Sequence, residues 1–185
     1  MEQLTVTLVD LPRADGSRKH VDIDAPAPAN LGAELIGVPE GTSMHVVADL
    51  VAVEGGVYVT GTVEATVEGQ CSRCLREIRE DVVREISDLA YYPAHREKLI
   101  AQGDDDAEDH AVISGEELDL EPIIRDAVVL GLPFRPLCRP DCAGLCPVCG
   151  ERLDDLPADH HHDVTPLQSD ILDQLEAQLR EDTDE

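Results

Sequence analysis

The alternation of apolar and polar positions predicts an antiparallel β meander in the first half of the chain. Residues 4–8 alternate in this way and are typical of a short strand. Residues 44–53 form an apolar, β-branched run, and the hairpin signal Glu54-Gly55-Gly56 follows it. Residues 57–68 predict the clearest strand, because the valines fall on one face while threonine and glutamate fall on the other.

The strand pattern resumes after the first pair of cysteines. Apolar residues return there at even spacing, at Ile78, Val82 and Ile86, so residues 44–90 are predicted to form a meander with one buried face. Proline and glycine recur between residues 11 and 41, which predicts loops with one short strand at residues 19–23.

Two helices are predicted in the second half of the chain, after a polar, acidic and mobile connection at residues 91–115. The first, at residues 119–131, has a broad apolar face, with Asp119 as its cap and Gly131 at its end. The second occupies residues 166–180, where Thr165, Pro166 and Gln168 supply a capping box and a proline at the first position.

These elements define an α+β fold: an antiparallel β meander with a cysteine-rich zinc-binding segment and two helices, the second C-terminal. We expect three segments within one compact domain. They are an N-terminal strand with loops (1–43), the meander with the acidic linker and first helix (44–137), and a cysteine- and histidine-rich segment with the C-terminal helix (138–185).

Six cysteines occur in three local sets, Cys71 with Cys74, Cys138 with Cys142, and Cys146 with Cys149. A Cys-x-x-Cys turn lets two thiolates reach one ion, and Gly150 can take the positive φ that such a turn often needs. Because Zn²⁺ prefers four such ligands in a tetrahedron, the spacing predicts structural zinc.

The division of ligands between one or two zinc ions stays open. His160 and His162 follow the last cysteine pair and raise the number of candidate ligands to eight, enough for two sites. The favoured partition joins Cys71, Cys74, Cys138 and Cys142, and joins Cys146, Cys149, His160 and His162. A rival partition joins Cys71, Cys74, Cys146 and Cys149. The histidines are alternatively a solvated cluster between Asp159 and Asp163.

Other uses of the cysteines fit less well. Buried free thiols would lie in apolar strands, whereas these cysteines lie among Arg, Asp, Pro and Gly. A thioredoxin-like pair needs a βαβ context, and Cys71 lies between two predicted strands. A complete thiolate shell leaves no open position for catalysis, and no HExxH, GxSxG or Walker-type motif occurs, so we expect no enzyme.

Charge bears on the choice of partner. The net charge of −26 repels nucleic acid at long range and suits a basic partner, such as a ribosomal protein, although solubility alone explains it equally well. Arginines near the cysteines are expected to form a local patch that contacts RNA phosphate or an acidic protein patch. These candidates are Arg73, Arg76, Arg79, Arg135 and Arg139.

No apolar run approaches the roughly 18 residues that span a membrane, and the first ten residues do not resemble a secretory signal. We therefore expect a cytoplasmic protein without membrane contact. The reducing cytoplasm favours metal or redox use of cysteine over disulfides.

Three segments resemble the YceD family, the large ribosomal RNA subunit accumulation proteins of bacteria and plastids. They are GQCSRCL (69–75), LGLPFRPLC (130–138) and DCAGLCPVCG (141–150). The resemblance covers about residues 44–180 and implies zinc ligation by the six cysteines. It also implies a role in 23S ribosomal RNA accumulation and large-subunit assembly. Where family members often carry Cys-x-Cys after the last pair, this chain has His160-His161-His162, which is compatible with a mixed site.

Three functional hypotheses follow. The first is a non-enzymatic factor that binds ribosomal RNA or a basic ribosomal protein through a zinc-stapled platform. The second is a redox sensor in which oxidation of thiolates ejects zinc. The third and weakest is a metal-dependent RNA-processing enzyme, which would require an open metal site.

Overall fold

A computed structural model describes residues 4–162, which form an α+β fold as predicted. The strands are β1 (Thr5–Thr7), β2 (Arg18–Pro26), β3 (Leu31–Gly32), β4 (Ile36–Val38), β5 (Ser43–Val53), β6 (Gly56–Gln70), β7 (Glu77–Tyr91), β8 (Ala111–Val112) and β9 (Glu117–Asp119). The helices are α1 (Pro93–Ala101) and α2 (Glu121–Leu130), with short 3₁₀ turns at Asp105–Glu108 and Leu153–Asp155.

The long strand β6 organises the main sheet. It pairs with β7 along its whole length, from Gly56 opposite Tyr91 to Gln70 opposite Glu77. Since a strand has only two edges, β5 and β4 share the other edge of β6, and β4 takes the end nearest the β6–β7 turn. The sheet continues through β2 beyond β5, β8 beyond β7 and β3 beyond β4, while β1 pairs separately with β9.

The predicted alternation along β6 is confirmed by burial. Val57, Val59 and Val63 are fully buried, and Val67 is nearly so, whereas the threonines between them are partly exposed. Helix α2 packs on β7 and β3 through an apolar face that includes Ile124 and Val128. The Asp119 carboxylate accepts a hydrogen bond from the amide of Glu121 at 2.9 Å and satisfies one of the open donors at the start of α2.

The connection predicted at residues 91–115 contains regular structure, namely α1, a 3₁₀ turn and β8. Its predicted mobility stays a prediction. Pro93 stands in the first turn of α1 and signals its start, but no side chain of α1 is buried, so no apolar stripe marks the helix in the sequence. The guanidinium of Arg96 donates to the carbonyls of Ala107 and Glu108 and holds the 3₁₀ turn against α1.

The strand predicted at residues 19–23 is longer than expected, since β2 pairs with β5 in register from Arg18 to Pro26. Most of its side chains are not buried, and Val21 and Ala25 are the buried apolar positions, which leaves a weak sequence pattern. The predicted helix at residues 166–180 lies outside the described residues.

The described chain divides into two compact units, with the boundary after Cys142. The three segments expected from the sequence, 1–43, 44–137 and 138–185 within one compact domain, stay a prediction. Cys138 and Cys142, from the third of these segments, gather with the first cysteine pair. No helix within residues 4–162 is long and apolar enough to cross a membrane.

Candidate metal centres

The first unit contains a group of four cysteine thiols, which we call the first centre. Cys71 and Cys74 lie in the turn between β6 and β7, and Cys138 and Cys142 follow α2. The four sulfurs lie within 4.8 Å of one another. The Sγ atoms of Cys71 and Cys142 are 3.8 Å apart, and those of Cys74 and Cys138 are 3.6 Å apart. This group could hold a metal ion.

The turn that carries Cys71 and Cys74 is a hydrogen-bonded knuckle. The amide of Leu75 donates to the carbonyl of Cys71 at 2.9 Å, and the amide of Cys71 donates to the carbonyl of Arg76 at 2.8 Å. Leu75 has a φ of +56°, a conformation that glycine adopts more readily than leucine. The chain reversal lets both sulfurs point to one place.

Two contacts bring the segment after α2 to this knuckle. The amide of Ser72 donates to the carbonyl of Pro136 at 2.8 Å. The guanidinium Nη1 of Arg73 donates to the carbonyl of Cys142 at 2.9 Å. The first centre therefore joins the β6–β7 turn to residues that lie more than sixty positions later in the chain.

The electrostatics of the first centre favour a bound cation. Burial raises the pKa of the Cys71 thiol, but hydrogen bonds from the amides of Cys138, Arg73 and Cys74 outweigh burial and bring this pKa down to about 6. Burial, together with hydrogen bonding to neighbouring thiols such as Cys74, raises the pKa of Cys138 to about 12. The two pKa shifts are opposite, so Cys71 loses its proton far more readily than Cys138, whereas a metal ion would stabilise both thiolates at once.

The second unit contains a group of mixed ligands, which we call the second centre. It consists of Cys146, Cys149, His160 and His162, whose ligand atoms again lie within 4.8 Å of one another. The Cys149 Sγ and His160 Nε2 atoms are 3.7 Å apart, and the two histidine rings meet edge to face at 4.5 Å. This group too could hold a metal ion.

One buried histidine nitrogen at the second centre, the Nε2 atom of His162, has no hydrogen-bond partner within the described residues, which is consistent with a metal-binding role. A buried polar atom without a partner is costly, and coordination to a metal ion would satisfy it. His161, between the two candidate ligands, is outside the group, and its Nδ1 donates to the carbonyl of Asp159 at 2.9 Å.

The knuckle of the second centre repeats the hydrogen bonds of the first. The amide of Gly150 donates to the carbonyl of Cys146 at 2.9 Å, and the amide of Cys146 donates to the carbonyl of Glu151 at 2.7 Å. Gly150 has a φ of +75°, as the sequence predicts for this glycine. Hydrogen bonds from the amides of Cys149 and Val148, and then from His160, lower the pKa of the Cys146 thiol to about 6.

Among residues 4–162, the two groups have the membership of the favoured two-site partition. The rival partition is not found, because Cys71 and Cys74 gather with Cys138 and Cys142. All six cysteines are free thiols and none forms a disulfide. His160 and His162 lie with the cysteines, and Asp163, their expected acidic neighbour, lies outside the described residues.

The five candidate arginines have different immediate surroundings, and their predicted joint contact with a partner stays a prediction. Arg73 and Arg135 line the same groove, next to the first centre. Arg79 forms an ion pair with Glu68 across the β6–β7 hairpin at 2.7 Å, and Arg139 pairs with Asp141 at 3.3 Å. The backbone carbonyl of Arg76 closes the first knuckle.

A groove next to the first centre is not predicted from the sequence. Its volume is about 420 Å³, and it is lined by residues 33–36, 72–73, 133–135 and 137. Phe134 lies there with 91% of its surface exposed. The available signal was the position of the chain's one phenylalanine, between the end of α2 and the third cysteine.

Fold and site together indicate an α+β protein with two cysteine-based groups that could hold metal ions, and comparison with known proteins assigns its family. The family model described as "Large ribosomal RNA subunit accumulation protein YceD" matches residues 59–177, which is more than half of the chain. The chain therefore belongs to the YceD family, as the resemblance implied.

Mycobacterial relatives support this assignment. Uncharacterized proteins of Mycobacterium bovis and Mycobacterium tuberculosis are 36% identical over 174 residues, which cover 93% of this chain and 81% of theirs. An uncharacterized protein of Mycobacterium leprae is 33% identical over 168 residues, covering 91% of this chain and 76% of its own. No solved structure matches the chain significantly.

Proposed function

We propose that this protein is a non-enzymatic factor for the accumulation of 23S ribosomal RNA and assembly of the large ribosomal subunit. Membership of the YceD family carries the proposal, because the family model covers residues 59–177 and so includes both metal-binding groups. The protein acts in the cytoplasm by binding ribosomal RNA or a basic ribosomal protein. The net charge of −26 supports contact with a basic ribosomal protein.

The metal at both centres is Zn²⁺. A tetrahedron with Zn–S bonds of about 2.3 Å has sulfur–sulfur edges of about 3.8 Å. The separations of 3.8 Å and 3.6 Å at the first centre fit such a tetrahedron. At the second centre, the corresponding sulfur–nitrogen edge of about 3.6 Å fits the 3.7 Å between Cys149 and His160.

The zinc would be structural, because each ion would have four protein ligands. Cys71, Cys74, Cys138 and Cys142 would hold one ion, and Cys146, Cys149, His160 and His162 would hold the other. Zinc supplies cross-linking and neutralises the thiolates, while a catalytic zinc would need a position free for water or substrate. The complete ligand sets therefore support a binding factor over an RNA-processing enzyme.

Depletion of the mycobacterial relative, with this chain supplied in its place, tests the function. We expect depletion to lower the ratio of large- to small-subunit ribosomal RNA, and this chain to restore the ratio. A Cys74→Ser, Cys149→Ser variant should fail to restore it, and Leu130→Ala, which keeps every ligand and lies outside the groove, should succeed. An unchanged ratio on depletion would contradict the proposed function.

A further inference from the structure

The groove beside the first centre combines exposed apolar surface with positive charge. Phe134 is 91% exposed and Leu35 is 40% exposed, so two large apolar side chains face solvent at the groove. Burial of an aromatic ring on binding supplies a large part of the energy at many interfaces. The groove volume of about 420 Å³ lies within the range of about 300–1,000 Å³ that is typical of small-molecule sites.

The charge at the groove is opposite to that of the chain as a whole. The chain carries a net charge of −26, yet among the described residues Arg73 and Arg135 line the groove against one acidic residue, Glu34. Hydrogen bonding of its Nη1 to the carbonyl of Cys142 holds Arg73 in place and leaves its other N–H groups as donors. Within residues 4–162, the exposed guanidinium of Arg135 has no hydrogen-bond or ion-pair partner. The groove therefore suits an anion.

We propose that this groove binds one nucleotide of single-stranded RNA, with the base stacked on Phe134 and the adjoining phosphate on Arg73 and Arg135. This inference rests on the proposed function and identifies RNA as its direct partner. A base has a flat apolar face and a phosphate has a negative charge, which are the two features that the groove presents. A basic peptide would be repelled by the arginines, and a purely apolar peptide would leave the arginines unused. Only a single base stacks, because the groove has one aromatic residue.

The first centre holds the walls of the groove together. Ser72 and Arg73 lie between the ligands Cys71 and Cys74, and Leu137 directly precedes the ligand Cys138. The third wall of the groove is formed by residues 33–36. Gly69 allows this wall to lie close to β6, because a Cβ at position 69 would lie 2.3 Å from the carbonyl oxygen of Leu35. Zinc at the first centre thus keeps the nucleotide site in shape, and removal of zinc should weaken RNA binding.

Anisotropy of a short fluorescein-labelled oligoribonucleotide, titrated with the full chain, tests this site. Phe134→Ala should weaken binding about 5- to 150-fold, as expected for loss of one stacked base. Arg135→Glu should weaken binding further and reduce its dependence on salt. A duplex of the same strand should bind more weakly than the single strand, because its bases are already stacked.

Two variants serve as matched controls. Leu130→Ala removes another apolar side chain that is 84% exposed but does not line the groove. Arg18→Glu reverses the charge of an exposed arginine on β2. Both should bind the oligoribonucleotide like the unmodified chain. Every variant should keep its zinc content and melting temperature, so that a loss of binding reports on the groove and not on folding.

The outcomes separate this inference from the proposed function. If depletion lowers large-subunit ribosomal RNA but Phe134→Ala and Arg135→Glu bind RNA normally and restore the ratio, the nucleotide site is wrong and the function stands. If the two variants lose binding to ribonuclease-treated ribosomal proteins while RNA binding is unchanged, the groove holds a protein and the inference is overturned. If depletion has no effect yet Phe134→Ala abolishes RNA binding, the site stands and the function falls.

Discussion

The two centres use the same cysteine knuckle in different surroundings. In each, the residue after the second cysteine has a positive φ and donates its amide to the carbonyl of the first cysteine. That residue is the leucine Leu75 in the first centre and the glycine Gly150 in the second. Since the turn is common to both, the role of each centre depends on the other two ligands and on their distance along the chain.

The first centre closes a long loop and the second closes a short one. Cys74 and Cys138 are separated by 64 positions, whereas Cys149 and His160 are separated by 11. The entropic free energy of closing the longer loop is about 1.6 kcal/mol larger, so a cross-link there lowers the conformational entropy of the unfolded chain more. Three of the four ligands of the first centre are buried, whereas Cys146 alone is buried in the second. We therefore expect the first centre to stabilise the first unit and the second centre to organise a local segment.

The largest effect is expected from Cys74→Ser, which removes a buried ligand of the first centre. Loss of a structural metal is among the changes that cost about 4 kcal/mol or more. For a chain of this size, such a loss lowers the melting temperature by about 8–16 °C, which differential scanning fluorimetry measures. Ser72→Ala in the same knuckle should leave the melting temperature unchanged. Equal melting temperatures for both variants would show that the first centre does not stabilise the fold.

The histidine run tests the second centre, with a control at the intervening residue. His160→Ala and His162→Ala should each lower the zinc content from about two equivalents to about one, since each removes one of four ligands. His161→Ala should keep both equivalents, because His161 is outside the ligand group. In all three variants, the free energy of unfolding of the first unit should change by less than about 0.5 kcal/mol. Two retained equivalents in His162→Ala would exclude histidine ligation.

The exposure of the cysteine thiols predicts the order in which alkylating agents and peroxide modify the two centres. Cys149 is exposed and every ligand of the first centre is buried or half-buried, so alkylation and peroxide should modify Cys149 first. Peptide mass spectrometry over a time course measures the order, and zinc release can be followed with a colorimetric chelator. Rapid modification of Cys71 or Cys74, with loss of the fold, would instead favour a redox sensor built on the first centre.

The smallest effects concern the residue that ends each knuckle. Gly150→Ala places a side chain at positive φ, which costs about 1–2 kcal/mol and should weaken zinc binding at the second centre about 5- to 30-fold. Within the part of the chain that the structure describes, no atom lies within 4 Å of the added Cβ, so we attribute the effect to backbone strain. Leu75→Gly relieves the same strain but increases the freedom of the unfolded chain, so its net change should stay below about 1 kcal/mol. A metal-competition titration measures the zinc affinity of each variant. Equal losses of zinc affinity in Gly150→Ala and Leu75→Gly would contradict the comparison of the two knuckles.

The parts of the fold that the sequence predicts are those with a strong periodic or chemical signal. The alternating valines of β6 and the apolar face of α2 were sufficient to predict both elements. The cysteine spacings likewise predicted which residues gather in the two groups, because a knuckle is encoded within a few residues. Helix α1 was missed because its side chains are all at least partly exposed, and β2 was shortened because charged residues separate its buried positions. The groove at Phe134 could not be predicted, because its walls come from three segments that only the tertiary fold brings together.

X-ray absorption spectroscopy at the zinc edge, together with metal analysis of the native protein, tests the central claim most directly. Two complete sets of protein ligands should give about two zinc ions per chain, with an average shell of about three sulfurs at 2.3 Å and one nitrogen at 2.0–2.1 Å. Metal-free native protein, or a shell with an oxygen in place of a protein ligand, would contradict the account.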